Sequence, residues 1–188
     1  MSNRNGYVIR DQYACYFVTF TIVGWIDVFS RKACKDLIME ALTYCMEHKG
    51  LHLHAYVIME SHLHLVLSAC RASSGLSAII RDFKKYTAKQ IIEWASTSNQ
   101  ESRRDWMLLV FRHFGRRNKR NAKFQVWKQD NRPMELFYPK FTAQKIDYIH
   151  YNPVAAGIVD RAEDYLHSSA RNYVGRDDYL LEVELLDL

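Results

Sequence analysis

A chain of 188 residues is long enough for one domain with a substantial core. Its composition, 48% hydrophobic and 25% charged, excludes a disordered chain, and a net charge of +5 points modestly toward a polyanionic partner. The cysteines at 15, 34, 45 and 70 form no C-x-x-C pair, which reads as free thiols in a reducing cytosol.

The first dozen residues are polar and are expected to be a loosely held arm. The apolar run Tyr13–Ile26 is shorter than a membrane span and contains Thr19 and Thr21. Its YFVTFTIV segment is aromatic and β-branched, which predicts a strand weakening at Gly24. Ser30 looks like a helix N-cap, and Cys34, Leu37, Ile38, Ala41, Leu42, Cys45 and Met46 follow at helical spacing up to Gly50. Two strands are predicted next, Leu51–Met59 and His62–Ser68, joined by a tight turn at Glu60 and Ser61. A second helix is predicted over Leu76–Ala95, with Ile79, Ile80, Phe83, Tyr86, Thr87, Ile91 and Trp94 spaced for burial. A short further strand is expected at Lys123–Trp127. A third helix is expected over Phe141–Tyr151, ending at Asn152-Pro153 because proline disfavours helical geometry in the residue before it. This order predicts an α+β, ferredoxin-like βαββαβ unit with an antiparallel sheet, and the scarcity of Gly and Pro gives no linker to a second domain. Residues 1–188 are therefore expected to form one domain, with its core at about 13–173 and a tail at 174–188.

Chemistry concentrates in the second hairpin strand. In His62-Leu63-His64-Leu65-Val66-Leu67 the alternation puts the leucines on one face and both imidazoles on the other. Two neutral imidazoles at that spacing can converge on a divalent ion, or they can simply stand on the solvated face of a half-buried strand. His52 and His54 make a second such pair on the neighbouring strand, so a four-histidine zinc site is a further possibility. In the third helix Tyr148 and Asn152 are four residues apart and share a face if the last turn holds. Asn152-Pro153 also fits the start of a short helix, and Tyr148 also fits a packing role. Tyr86, flanked by lysines, is a second candidate nucleophile. Arg112, Arg116, Arg117, Lys119, Arg120 and Lys123, interleaved with Phe111, Phe114 and Phe124, suit phosphate neutralisation and base stacking, or a solvated basic loop.

Taken together, HLHLVL on a strand and KIDYIHYNPVAAGIV on a later helix resemble the single-tyrosine HUH transposases, most closely the REP-associated tyrosine transposases and related insertion-sequence enzymes. The resemblance covers about residues 13–173. It implies an enzyme in which His62, His64 and Asn152 hold Mg²⁺ or Mn²⁺ and Tyr148 attacks single-stranded or hairpin DNA, leaving a 5′-phosphotyrosine and a free 3′-hydroxyl. A family member that binds such DNA without cutting it is the alternative. One departure is visible: Glu60-Ser61 stands where many relatives carry Pro-Asn. SSARNY at Ser168–Tyr173 lies, in the resemblance, close to the DNA-binding region, and Tyr179–Leu188 is expected to form an edge strand or a docking tail.

Overall fold

The computed structural model describes residues 8–99, 101–118 and 123–187. Its strands are β1 (Tyr16–Thr21), β2 (Leu51–Ile58), β3 (His62–Ala69) and the short β4 (Met134–Glu135). They form one antiparallel sheet in the order β2-β3-β1-β4, the strand order of a ferredoxin-like unit. Its helices are α1 (Lys32–Lys49), α2 (Leu76–Thr97), α3 (Arg104–Arg116), α4 (Pro139–Ala155) and the single turn α5 (Ala170–Tyr173).

Period-two alternation divides the sheet into two packed faces. Tyr16, Val18 and Phe20 of β1 and Leu63, Leu65 and Leu67 of β3 join the larger core, which includes Ile38 and Leu42 of α1, Phe83 of α2 and Phe111 of α3. Phe17, Val57 and Val66 face the other way and pack with Ile146 and Ile149 of α4. The tyrosine-bearing helix therefore covers the face that carries His62 and His64.

Several local expectations are corrected. Ser30 is not the cap of α1; Arg31 holds that position, and the Ser30 hydroxyl donates to the Asp27 carbonyl at 2.7 Å. The segment expected as a basic loop begins inside α3, whose Met107, Phe111 and Gly115 form a buried face at intervals of four. The fourth strand lies not at Lys123–Trp127 but at Met134–Glu135, beside Tyr16 and Phe17; Trp127 makes only an isolated bridge to Ile22. Its indole is instead core, stacked on Phe29 and donating from Nε1 to Thr87 Oγ1. Helix α4 runs through Asn152-Pro153 to Ala155. Pro153 is buried, so tertiary packing offsets the helical hydrogen bond that its missing N–H forfeits.

The exposed edge of β2 is closed by the chain's last third. Ile58 N–H donates to His167 O and Ser169 N–H to Tyr56 O, while Glu184 N–H donates to Leu53 O. Ser168, Ser169 and Asn172 are buried, so the polar groups of the SSARNY segment serve the interior, while Arg171 and Tyr173 stay partly exposed. Among the described residues the tail forms no strand but docks on the body: Leu181 and Val183 enter the main core. All four cysteines are free thiols, and among the described residues no helix is long and apolar enough to cross a membrane.

Candidate active site

Strand register builds the floor of the site. Thr19 lies opposite His64 and Thr21 opposite His62, all on the sheet face turned toward α4. The two imidazole rings stand 4.8 Å apart, centre to centre, at 74°. Thr19 Oγ1 lies 2.9 Å from His64 Nδ1, and Ser61 Oγ lies 3.3 Å from His62 Nδ1. When Nδ1 carries the proton and gives it to the hydroxyl, Nε2 keeps its lone pair for another partner. Burial holds His62 below the usual histidine range. It pushes His64 down to about 3, with the positive potential of His62 and Lys145 adding to the effect. Both rings are thus neutral near pH 7, the state a metal requires of imidazole.

Helix α4 supplies the wall. Lys145, Tyr148 and Asn152, at i, i+3 and i+7, line the same cleft as the histidines, while Ile146, Ile149 and His150 face inward. The Tyr148 ring is half exposed and meets His64 edge-on at 5.2 Å and Phe17 at 6.0 Å. Phe17 in turn stacks on His64 at 5.4 Å. Asn152 Nδ2 donates to the Tyr148 carbonyl at 3.4 Å, so the donor end of the amide is engaged and the oxygen is what it can offer to the cleft. Lys145 Nζ lies 5.8 Å from the Tyr148 ring centre and 5.1 Å from that of Phe17, bringing positive charge beside the phenol.

The rim is a loop anchored to the sheet and to α2. Lys128 N–H donates to Thr21 O and Thr19 N–H to Asn131 O. Lys84 Nζ donates to Lys128 O at 2.7 Å and to Asn131 Oδ1 at 2.5 Å, and burial lowers its pKa to about 8. The loop delivers Lys128, Asp130 and Arg132 to a cleft of about 720 Å³. Trp25 lines the cleft beside this loop, its ring centre 4.2 Å from Lys128 Nζ.

Among solved structures, a REP-associated tyrosine transposase bound to a REP hairpin matches 100% of this chain and 94% of its own length, with a TM-score of 0.63 at 16% identity. The chain has that transposase's fold. A candidate transposase from Deinococcus radiodurans R1 matches 79% of this chain and 95% of its own, with a TM-score of 0.41 at 18% identity. No family model and no curated protein matches the sequence.

Within this transposase fold His62, His64, Tyr148 and Asn152, named from sequence, meet in one cleft, and they do so within one chain. The rival groups go elsewhere. His54 is held at both ring nitrogens, by Glu184 O and Ser68 Oγ, and His52 pairs with Glu184 at 2.5 Å at the far end of the hairpin. Among the described residues no group of three or more His, Cys, Asp or Glu side chains is arranged to hold a metal ion. Tyr86 is not buried in the α2 stripe as its spacing suggested: it is 52% exposed and lines a separate groove with Tyr44 and Asp82. Glu60 is exposed and outside the cleft.

Arg112, Arg116, Arg117 and Lys123 also lie outside the cleft, on and beyond the end of α3; Lys119 and Arg120 fall outside the described residues. Helix α3 itself borders the cleft, since it packs Val110 and Phe114 against Gly24, the residue before Trp25. Arg112 and Lys123 both stand over the Phe124 ring at 5.4 Å. Thr19, Trp25, Lys128, Arg132 and Lys145 had not been singled out as site residues. For Lys145 the i, i+3 relation to Tyr148 was a usable signal, and for Thr19 the alternation of β1 was half of one, since the register was missing.

Proposed function

We propose that this chain is a DNA strand-transferase of the transposase type, acting on single-stranded or hairpin DNA through Tyr148. The observation that carries the reading is the convergence of Tyr148 on His64, 5.2 Å between ring centres, in a cleft that also holds His62, Asn152 and Lys145.

The Tyr148 Oη attacks a backbone phosphorus; the new P–O bond makes a 5′-phosphotyrosine, the phosphorus bond to the neighbouring 3′-oxygen breaks, and that oxygen leaves as a 3′-hydroxyl. The phenol proton is lost to solvent or a base, and a proton is taken up by the leaving oxygen, so the step balances. Attack by another 3′-hydroxyl on the phosphotyrosine rejoins strands without ATP, because the covalent link conserves the phosphodiester energy. Lys145 and the rim cations Lys128 and Arg132 hold the polyanionic backbone against the cleft, and Thr19 fixes the His64 ring. The donor set fits a divalent ion: two neutral imidazoles with Nδ1 engaged, an amide oxygen on the facing helix, and room for substrate oxygens. His62, His64 and Asn152 would hold it, and bound Mg²⁺ or Mn²⁺ would supply Lewis-acid polarisation of the scissile phosphate. The cations at the end of α3 suit the phosphates of a hairpin stem.

The test is incubation of the protein with a labelled single-stranded hairpin oligonucleotide and Mg²⁺ or Mn²⁺, followed by a denaturing protein gel. A metal-dependent covalent adduct that disappears in Tyr148→Phe is expected. An adduct that persists in Tyr148→Phe overturns the nucleophile, and a gel shift without any adduct replaces the enzyme by a non-cutting DNA binder.

A further inference from the structure

Among the described residues, the non-glycine positions with positive φ are Trp25 (φ 56°) and Arg132 (φ 45°), and both line the cleft that contains Tyr148 and the histidines. A bulky side chain in the left-handed region is disfavoured and persists only where the surroundings over-determine it, which is typical of ligand clamps. At Trp25 the determinants are visible. Val23 N–H donates to Val126 O and Trp25 N–H to Ile22 O, while Gly24, at φ 66°, lies under Val110 and Phe114 with little room for a side chain. The chain leaving β1 is thereby turned so that the indole projects outward.

Burial does not account for this placement, because Trp25 is 59% exposed. Its neighbours are polar: the His62 ring sits edge-on at 5.8 Å and Lys128 Nζ lies 4.2 Å from the indole centre. The cleft therefore joins an exposed aromatic face to Lys128, Arg132 and Lys145, against the single carboxylate of Asp130, which pairs with Arg132 at 3.6 Å. An aromatic face recognises another flat ring, and the surrounding cations recognise phosphate.

We infer that Trp25 is the stacking platform for one unpaired nucleobase of single-stranded DNA beside the phosphate presented to Tyr148, with Lys128 and Arg132 taking that nucleotide's backbone. This rests on the strand-transfer reading and adds to it a fixed base position. Recognition is by stacking, so the platform tolerates any base but not the absence of one.

The experiment is a binding cycle in the Tyr148→Phe background, read by fluorescence anisotropy with Mn²⁺ present. The probes are an unpaired oligonucleotide and a series carrying one abasic site at each position. Trp25→Ala is expected to weaken the intact oligonucleotide by roughly 5- to 150-fold, the range for loss of one stacked base. At one abasic position that difference should vanish, while Trp25→Phe retains most of the affinity. Trp106→Ala, another exposed tryptophan on α3 and outside the cleft, should bind like the parent. Trp25→Gly separates platform from scaffold: it relieves the backbone, so the melting temperature should be unchanged or higher while DNA affinity falls. Unchanged affinity in Trp25→Ala, or a loss that couples to no single abasic position, overturns the platform; the adduct formed by the wild type then still supports the strand-transfer reading. Absence of both DNA binding by the parent and adduct by the wild type overturns the two together.

Discussion

Acidification from pH 7 to pH 5 should destabilise this fold strongly, and histidines rather than carboxylates should be responsible. His64 and His150 are both buried. Burial pushes His150 down to about 4, and burial first, then His62 and Lys145, pushes His64 down to about 3. In the unfolded chain each would titrate near 6.5. The folded values lie below the unfolded value, so between them the unfolded state binds more protons. The stability they contribute is complete above about pH 6.5 and is lost as pH falls toward the folded values. At one and a half pH units below the unfolded value each histidine costs about 2 kcal/mol, or about 4 kcal/mol for the pair, against a typical total of about 5–15 kcal/mol. His167, lowered to about 4 mainly by burial, acts in the same direction. Urea unfolding followed by circular dichroism at both pH values, with EDTA present, measures the loss. His150→Asn isolates one contribution: whatever its packing cost at pH 7, where the bond from His150 Nε2 to Ser169 Oγ at 2.8 Å is gone, its pH 7-to-5 loss should be smaller than wild type by about 2 kcal/mol. An identical pH dependence in wild type and variant would refute burial as what keeps His150 neutral.

Thr19→Val keeps shape but leaves His64 Nδ1 without its partner, so Mn²⁺ binding by calorimetry should weaken roughly 10- to 100-fold with little change in melting temperature. Lys145→Ala should lower the slope of log K against log salt for a single-stranded oligonucleotide by about 0.7, the increment for one lost phosphate contact. Replacing Arg116, Arg117 and Lys123 together by alanine should weaken hairpin binding and its salt dependence while leaving the covalent adduct to Tyr148 detectable on a denaturing gel. Glu101 is a buried carboxylate held at about 2, first by its hydrogen bonds from Arg103, which reach it from the guanidinium and the backbone, and then by Arg31. Glu101→Gln should therefore cost about 2–4 kcal/mol in urea unfolding, and an unchanged midpoint would show that the cluster adds nothing to stability.

The division of the sheet into two faces was legible along the chain, because period two is a local property. His62 and His64 against Leu63, Leu65 and Leu67 declared their face before any fold was known, and the i, i+3, i+7 relation of Lys145, Tyr148 and Asn152 was equally present on α4. The burial of Phe111 was also encoded, at four-residue intervals with Met107 and Gly115, but the surrounding arginines and lysines hid the helix. Pro153 misled for a related reason: the rule about the residue before proline describes an isolated chain, and packing of α4 on the sheet overrides it.

Register, by contrast, is a relation between strands that no single stretch contains. That Thr19 meets His64 Nδ1, that Lys84 pins the loop carrying Lys128 and Arg132, and that Ser168–Ser169 closes the edge of β2 all depend on contacts between residues more than forty positions apart. The left-handed backbone of Trp25 belongs to the same class: it is imposed by α3 packing on Gly24 and by the Val126 carbonyl holding Val23, not by any preference of tryptophan. Sequence alone determined which residue types are suited to the proposed chemistry and which face each would take. Tertiary closure decided which of them meet, because hydrophobic burial and sheet pairing are satisfied over the whole chain at once.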